Sequence, residues 1–145
     1  MLHVYRQVVG VRSFRNLVVT RRVETPARFP HDAVIELKKS PFRFFQRLWH
    51  RSQGGRVPVG GHEISQLSRI VREEAVRLVH IYFGTEAARL SRWLPQAGVP
   101  IVVSFHGADV SRSISDAELQ VVFENAVLIF CLLYTSPSPR DATLS

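Results

Sequence analysis

Residues 78–109 read LVHIYFGTEAARLSRWLPQAGVPIVVSFHGAD, and the fold class turns on them. Two apolar runs, 78–83 (LVHIYF) and Pro100–Phe105 (PIVVSF), flank a stretch whose apolar residues recur at helical spacing. The first run stops at Gly84, and Gly98 closes the helical stretch predicted over Thr85–Gln96. Pro100–Phe105 is apolar without alternation, the pattern of a central strand buried on both faces. A strand, a helix and a second strand in this order predict a βαβ unit with parallel strands and a right-handed crossover.

Working outward, the same alternation continues. Upstream, Gly60–Gly61 opens a helical stretch from His62 to about Arg77, with Ile64, Leu67, Ile70, Val71 and Val76 spaced for one face. Further back, 2–9 (LHVYRQVV) reads as a short helix, Asn16–Arg22 as a strand, Thr25–His31 as a proline-punctuated loop and Ala33–Leu37 as a second strand. Downstream, Ser115–Ala126 opens with Ser115 three residues before Glu118, a capping-box spacing, and Val127–Phe130 begins another apolar run. The expectation is an α/β domain over 1–130, with a Rossmann-like parallel sheet covered by helices on both faces.

Composition narrows the class. The chain has 145 residues, 46% of them hydrophobic and 21% charged, which is globular rather than disordered usage. One cysteine, Cys131, excludes a disulfide-stapled miniprotein. No apolar run reaches the roughly 18 residues of a membrane-spanning helix. The N-terminal MLHVYRQVVGVR interrupts its apolar residues with charge and has no small-residue cleavage site, so it does not read as a secretory signal. A cytoplasmic protein is expected.

The net charge of +7 is unevenly placed. Residues 1–56 carry 12 of the 19 Lys and Arg against Glu24, Asp32 and Glu36, while 57–145 carry the other seven against nine acids. Within the basic half, PFRFFQRLWHRS (41–52) forms an amphipathic helical pattern. Phe42, Phe44, Phe45, Leu48 and Trp49 fill one arc, and Arg43, Gln46, Arg47, His50 and Arg51 the other. Such an arc either docks on the protein's own core or lies on an anionic membrane surface, with Phe42, Phe45, Trp49, Arg43 and Arg47 as the contacts. A small basic nucleic-acid-binding module is the competing function, but no helix-turn-helix spacing, zinc ligands or aromatic sheet motif accompanies the charge.

The chemistry is expected at the carboxyl ends of the two legible strands. One end is Tyr82-Phe83-Gly84-Thr85-Glu86, where a glycine admits close approach and the first helical turn offers free N–H groups to an anionic or hydroxyl-rich group. The other is Ser104-Phe105-His106-Gly107-Ala108-Asp109. Adjacent parallel strands would bring His106, Asp109, Thr85 and Glu86 to one rim. The plainer readings are a hydrogen-bonded structural His106, an Asp109 that caps the next turn, and a His80 packed inside its strand. His62 and Glu63 beside Gly60–Gly61 lack the glycine pattern of a phosphate or dinucleotide loop. No metal-ligand spacing and no nucleophile elbow is present.

These motifs resemble the N-terminal, acceptor-side domain of retaining GT-B glycosyltransferases of the lipopolysaccharide, capsule and phosphatidylinositol-mannoside type. The resemblance rests on His80, Phe83 and Gly84, then Pro100, Phe105, His106, Gly107 and Asp109, with a weaker likeness in TRRVETPARFP (20–30). It covers roughly residues 2–130. It implies transfer of a hexosyl group from a nucleotide-sugar to a polysaccharide or glycolipid acceptor, with no required metal, no other cofactor and no nucleic-acid partner. Carried over, His106 is the catalytic candidate at the donor sugar. Gly107 and Asp109 shape its loop, and Gly84, Thr85 and Glu86 lie on the acceptor side. The location implied is cytoplasmic, peripheral on the inner face of the plasma membrane.

Two departures accompany the resemblance. The family's first strand is missing before LHVYRQVVGVR, and its donor-binding second domain, with paired glutamates, has no counterpart here. The tail CLLYTSPSPRDATLS (131–145) resembles translated sequencing-adaptor DNA and is expected to be non-native or disordered. The chain therefore reads as a fragment truncated at both ends and inactive on its own.

Overall fold

The computed structural model describes residues 2–11, 13–23, 30–38, 59–106, 109 and 114–132. The chain divides into two compact units, Met1–Leu67 and Ser68–Ser145. The fold is α/β, with two small parallel sheets rather than the single sheet expected.

In the first unit, α1 (Leu2–Gly10) precedes β1 (Val18–Thr20) and β2 (Val34–Glu36). The Asn16 side-chain amide donates to the carbonyls of Val8 and Val11, both at 2.8 Å, and so satisfies acceptors that the helix end leaves unpaired. β1 and β2 pair in parallel, with Val18 opposite Val34 and Thr20 opposite Glu36. Each is shorter than its apolar run predicts. β1 stops because Thr20 Oγ1 donates to the Arg22 carbonyl at 3.0 Å and accepts its N–H at 3.4 Å, turning the chain out of the ladder. Beyond β2, the Gln66 side chain bridges the Lys38 backbone, accepting its N–H and donating to its carbonyl, both at 2.9 Å. Leu37, Val59 and Leu67 are buried.

Gln66 lies on α2 (Gly61–Glu73), which ends four residues earlier than its apolar spacing predicts. The physical reason is a left-handed cap. Ala75 sits at φ 49°, its N–H reaches Arg72 O at 3.3 Å, and Val76 N–H reaches Val71 O at 2.9 Å. This is the Schellman arrangement, closed on alanine where glycine is usual.

The second unit holds β3 (Val79–Tyr82), α3 (Gly84–Arg89), a 3₁₀ turn (Leu94–Gln96), β4 (Ile101–His106), α4 (Asp116–Asn125) and β5 (Ala126–Leu132). Its sheet order is β3-β4-β5, all parallel. β3 and β4 are neighbours as expected, with His80 opposite Val102 and Tyr82 opposite Ser104. β4 is central, and five of its six residues are buried. The helix predicted over Thr85–Gln96 is instead α3, a turn and the 3₁₀ turn. Pro95 has no N–H to continue an α-helical ladder, and its ring opposes the preceding turn.

Small residues seat α3. Gly84, Ala87 and Ala88 are all buried, and spacings of three and four put them on one helix face. Ile81, Trp93, Leu94, Ile101, Val103 and Val122 complete this core, and the Trp93 indole N–H donates to Ser68 Oγ at 3.1 Å. α4 carries the predicted capping box: Ser115 Oγ accepts the Glu118 N–H at 3.3 Å, and a Glu118 carboxylate oxygen accepts the Ser115 N–H at 3.1 Å. β5 follows α4 without a loop and runs through Cys131 and Leu132. No helix among the described residues is long and apolar enough to cross a membrane.

Candidate functional site

The rim is built from the carboxyl ends of β3 and β4. The Phe83 N–H donates to Ser104 O at 2.8 Å, carrying the ladder one step past β3. At Phe83 the chain turns sharply into α3 with φ 80° and ψ 125°. That conformation costs a non-glycine residue about 1–3 kcal/mol. Gly84 follows, at a point where a Cβ would overlap the Phe105 ring, so only glycine lets the helix start this close to β4.

Asp109 joins the two strand ends. One carboxylate oxygen accepts the N–H of Gly84 and the N–H of His106, both at 2.9 Å. The other accepts the Thr85 N–H at 3.1 Å and the Thr85 hydroxyl at 3.0 Å. Asp109 is 5% exposed. Burial pushes its carboxyl up, but the amides of His106, Gly84 and Thr85 and the Thr85 hydroxyl outweigh this and hold it below the ordinary carboxylate value. The group is an ionised anchor.

This geometry changes the expected site in one respect. The N–H groups of Gly84 and Thr85 are not open to an anionic ligand; Asp109 takes both. Asp109 caps the start of the helix that begins 25 residues before it.

His106 ends β4, 5% exposed, with its ring 4.6 Å from the Phe83 ring and tilted 42°. Glu86, on the first turn of α3, pairs with Arg89 at 3.0 Å. Gly107 lies outside the described residues, as do Phe42, Arg43, Phe45, Arg47 and Trp49. Thus Gly84, Thr85, His106 and Asp109 are drawn together, while Glu86 is turned to its own helix.

Alternation along the sheet adds residues that the motif reading passes over. His80 and Tyr82 on β3 share a face with Val102, Ser104 and His106 on β4. His80 Nε2 and Ser104 Oγ share a 2.7 Å hydrogen bond, and the His80 ring stacks on Tyr82 at 4.1 Å. Burial lowers the His80 pKa, and the charge of His106 lowers it further. Burial raises that of Tyr82. A period-two reading of both strands would have found this set.

Comparison with protein families, curated proteins and solved structures finds no match to this chain. The rim combines a half-buried His80 hydrogen-bonded to Ser104 with a buried His106 whose backbone N–H is held by the Asp109 carboxylate. Among the described residues no group of three or more His, Cys, Asp or Glu converges to hold a metal ion.

Proposed function

We propose that the chain is the acceptor-side half of a retaining GT-B glycosyltransferase, with a Rossmann-like sheet, that moves a hexosyl group from a nucleotide-sugar to a polysaccharide or glycolipid acceptor. The observation that carries this reading is the Asp109 clamp. It makes the Phe83-Gly84-Thr85 and His106 ends of two adjacent parallel strands into one rim at the place where α/β sheets bind ligands. His106, held at that rim, is positioned to meet the donor sugar. Retaining transfer of this kind works by positioning and by stabilising charge on the sugar and the departing diphosphate, and a fixed imidazole serves both.

The test is hexose transfer from a panel of nucleotide-sugars by the protein encoded by the contiguous gene, alongside its His106→Ala variant. Transfer that falls at least a hundredfold, roughly, in the variant supports the assignment. Transfer indifferent to His106, or no transfer from any donor, overturns it. The basic, aromatic segment 41–52 is the part offered to the membrane that carries a lipid-linked acceptor. Co-sedimentation with phosphatidylglycerol vesicles but not phosphatidylcholine vesicles is expected, and equal binding to both would remove that role.

A further inference from the structure

Glycine adopts positive φ without strain, and a glycine stands at position 84. Yet the positive φ at the end of β3 falls one residue earlier, on Phe83, an aromatic residue to which that conformation is costly. The backbone on both sides is pinned. The Phe83 N–H is held by Ser104 O at 2.8 Å, and its carbonyl accepts the N–H groups of Glu86 at 3.1 Å and Ala87 at 3.2 Å. The next two amides, of Gly84 and Thr85, are held by Asp109. A glycine at 83 would make the same backbone bonds without strain, so the turn alone does not account for phenylalanine. What phenylalanine adds is its ring, which lies 4.6 Å from the imidazole of His106. Strain of this kind persists where the surroundings over-determine it, and it collects at working sites.

We propose that Phe83 is the positioning residue of His106, its strained turn serving to hold an aromatic ring against the imidazole at the rim. The proposal rests on the reading of His106 as the donor-facing side chain. Asp109 completes the device: it ties the His106 N–H to the amides that follow Phe83, so ring and imidazole are fixed to one anchor.

The experiment follows the reaction of each histidine in the 145-residue chain with diethyl pyrocarbonate, site by site, by mass spectrometry. Wild type is compared with Phe83→Tyr, Phe83→Leu and Phe83→Gly. In wild type the buried His106 reacts slowly. Phe83→Leu keeps the apolar bulk and loses the ring, Phe83→Gly relieves the strain as well, and both are expected to speed modification of His106 several-fold while His80 keeps its rate. Phe83→Tyr restores the wild-type rate. His106 rates unchanged in both the Leu and Gly variants overturn the proposal. So does a parallel rise at His80, or loss of the Trp93 near-ultraviolet signal in both variants, since Phe83 is then an ordinary core residue. No sugar enters this measurement. A protein without transferase activity leaves the role of Phe83 standing, and an indifferent His106 leaves the transfer reading to its own assay.

Discussion

The carboxylate of Asp109 accepts the backbone N–H of Gly84 at 2.9 Å, across 25 positions of sequence. With the N–H groups of Thr85 and His106 and the Thr85 hydroxyl it accepts four hydrogen bonds while almost wholly buried, so it fixes the ends of two strands at once. Asp109→Asn keeps the shape but turns one acceptor oxygen into a donor that faces N–H groups. Hydrogen bonds to a buried charge contribute about 1.5–3 kcal/mol each, and an orphaned donor adds its desolvation cost. The variant is therefore expected to lose about 2–4 kcal/mol of folding stability, read as a lower urea midpoint. A midpoint within error of wild type would mean that the four bonds do not form in solution.

Gly84 offers a cleaner geometric check. Its missing Cβ leaves the space that the Phe105 ring fills. Gly84→Ala should cost about 1–3 kcal/mol, the usual penalty for overpacking a core. Trimming the opposing ring should recover part of this, so Gly84→Ala with Phe105→Leu is expected to be less destabilising than the two single changes added together. Simple additivity in a double-mutant cycle would show that the two residues do not meet.

These contacts mark what the sequence reveals and what it hides. β3, β4 and the capping box on α4 were legible because each is a local signal: an apolar run bounded by glycine or proline, or a serine three residues before a glutamate. The end of α2 was hidden because its left-handed cap carries alanine. Pro95 did mark the break after α3, yet the apolar spacing through Trp93 and Leu94 masked it. At the rim, residue types and strand order placed Thr85, His106 and Asp109 together. That Asp109 reaches back to α3 depends on a long-range pairing that no local pattern encodes.

The hidden cap gives a stabilising prediction. Ala75 is exposed, and its φ of 49° puts Cβ against the backbone, a strain of about 1–2 kcal/mol that glycine avoids. Glycine also gives up more entropy on folding, which offsets part of the gain. Ala75→Gly should raise stability by about 0.5–1 kcal/mol, read as a higher melting temperature. A lower one would place the end of α2 elsewhere.

The two titrating groups with lowered pKa values act on stability in the same direction with pH, in separate windows. Asp109 in the folded chain sits below its ordinary 3.8, so the unfolded chain takes up its proton first as pH falls. Its contribution is complete above 3.8 and is lost as pH drops through the lower folded value. His80 is a base whose folded pKa is lowered from 6.5, first by burial and then by the charge of His106. Below pH 6.5 the unfolded chain binds a proton that the folded chain still refuses, so stability falls with acidity there too, until the folded His80 itself takes a proton. Urea midpoints measured from pH 8 to pH 3 should therefore decline in two stages. Asp109→Asn should flatten the lower stage alone. His80→Gln, which keeps an amide to meet Ser104 Oγ, should flatten the upper stage alone. An upper stage that survives His80→Gln would assign it to another group and return His80 to a plain packing role.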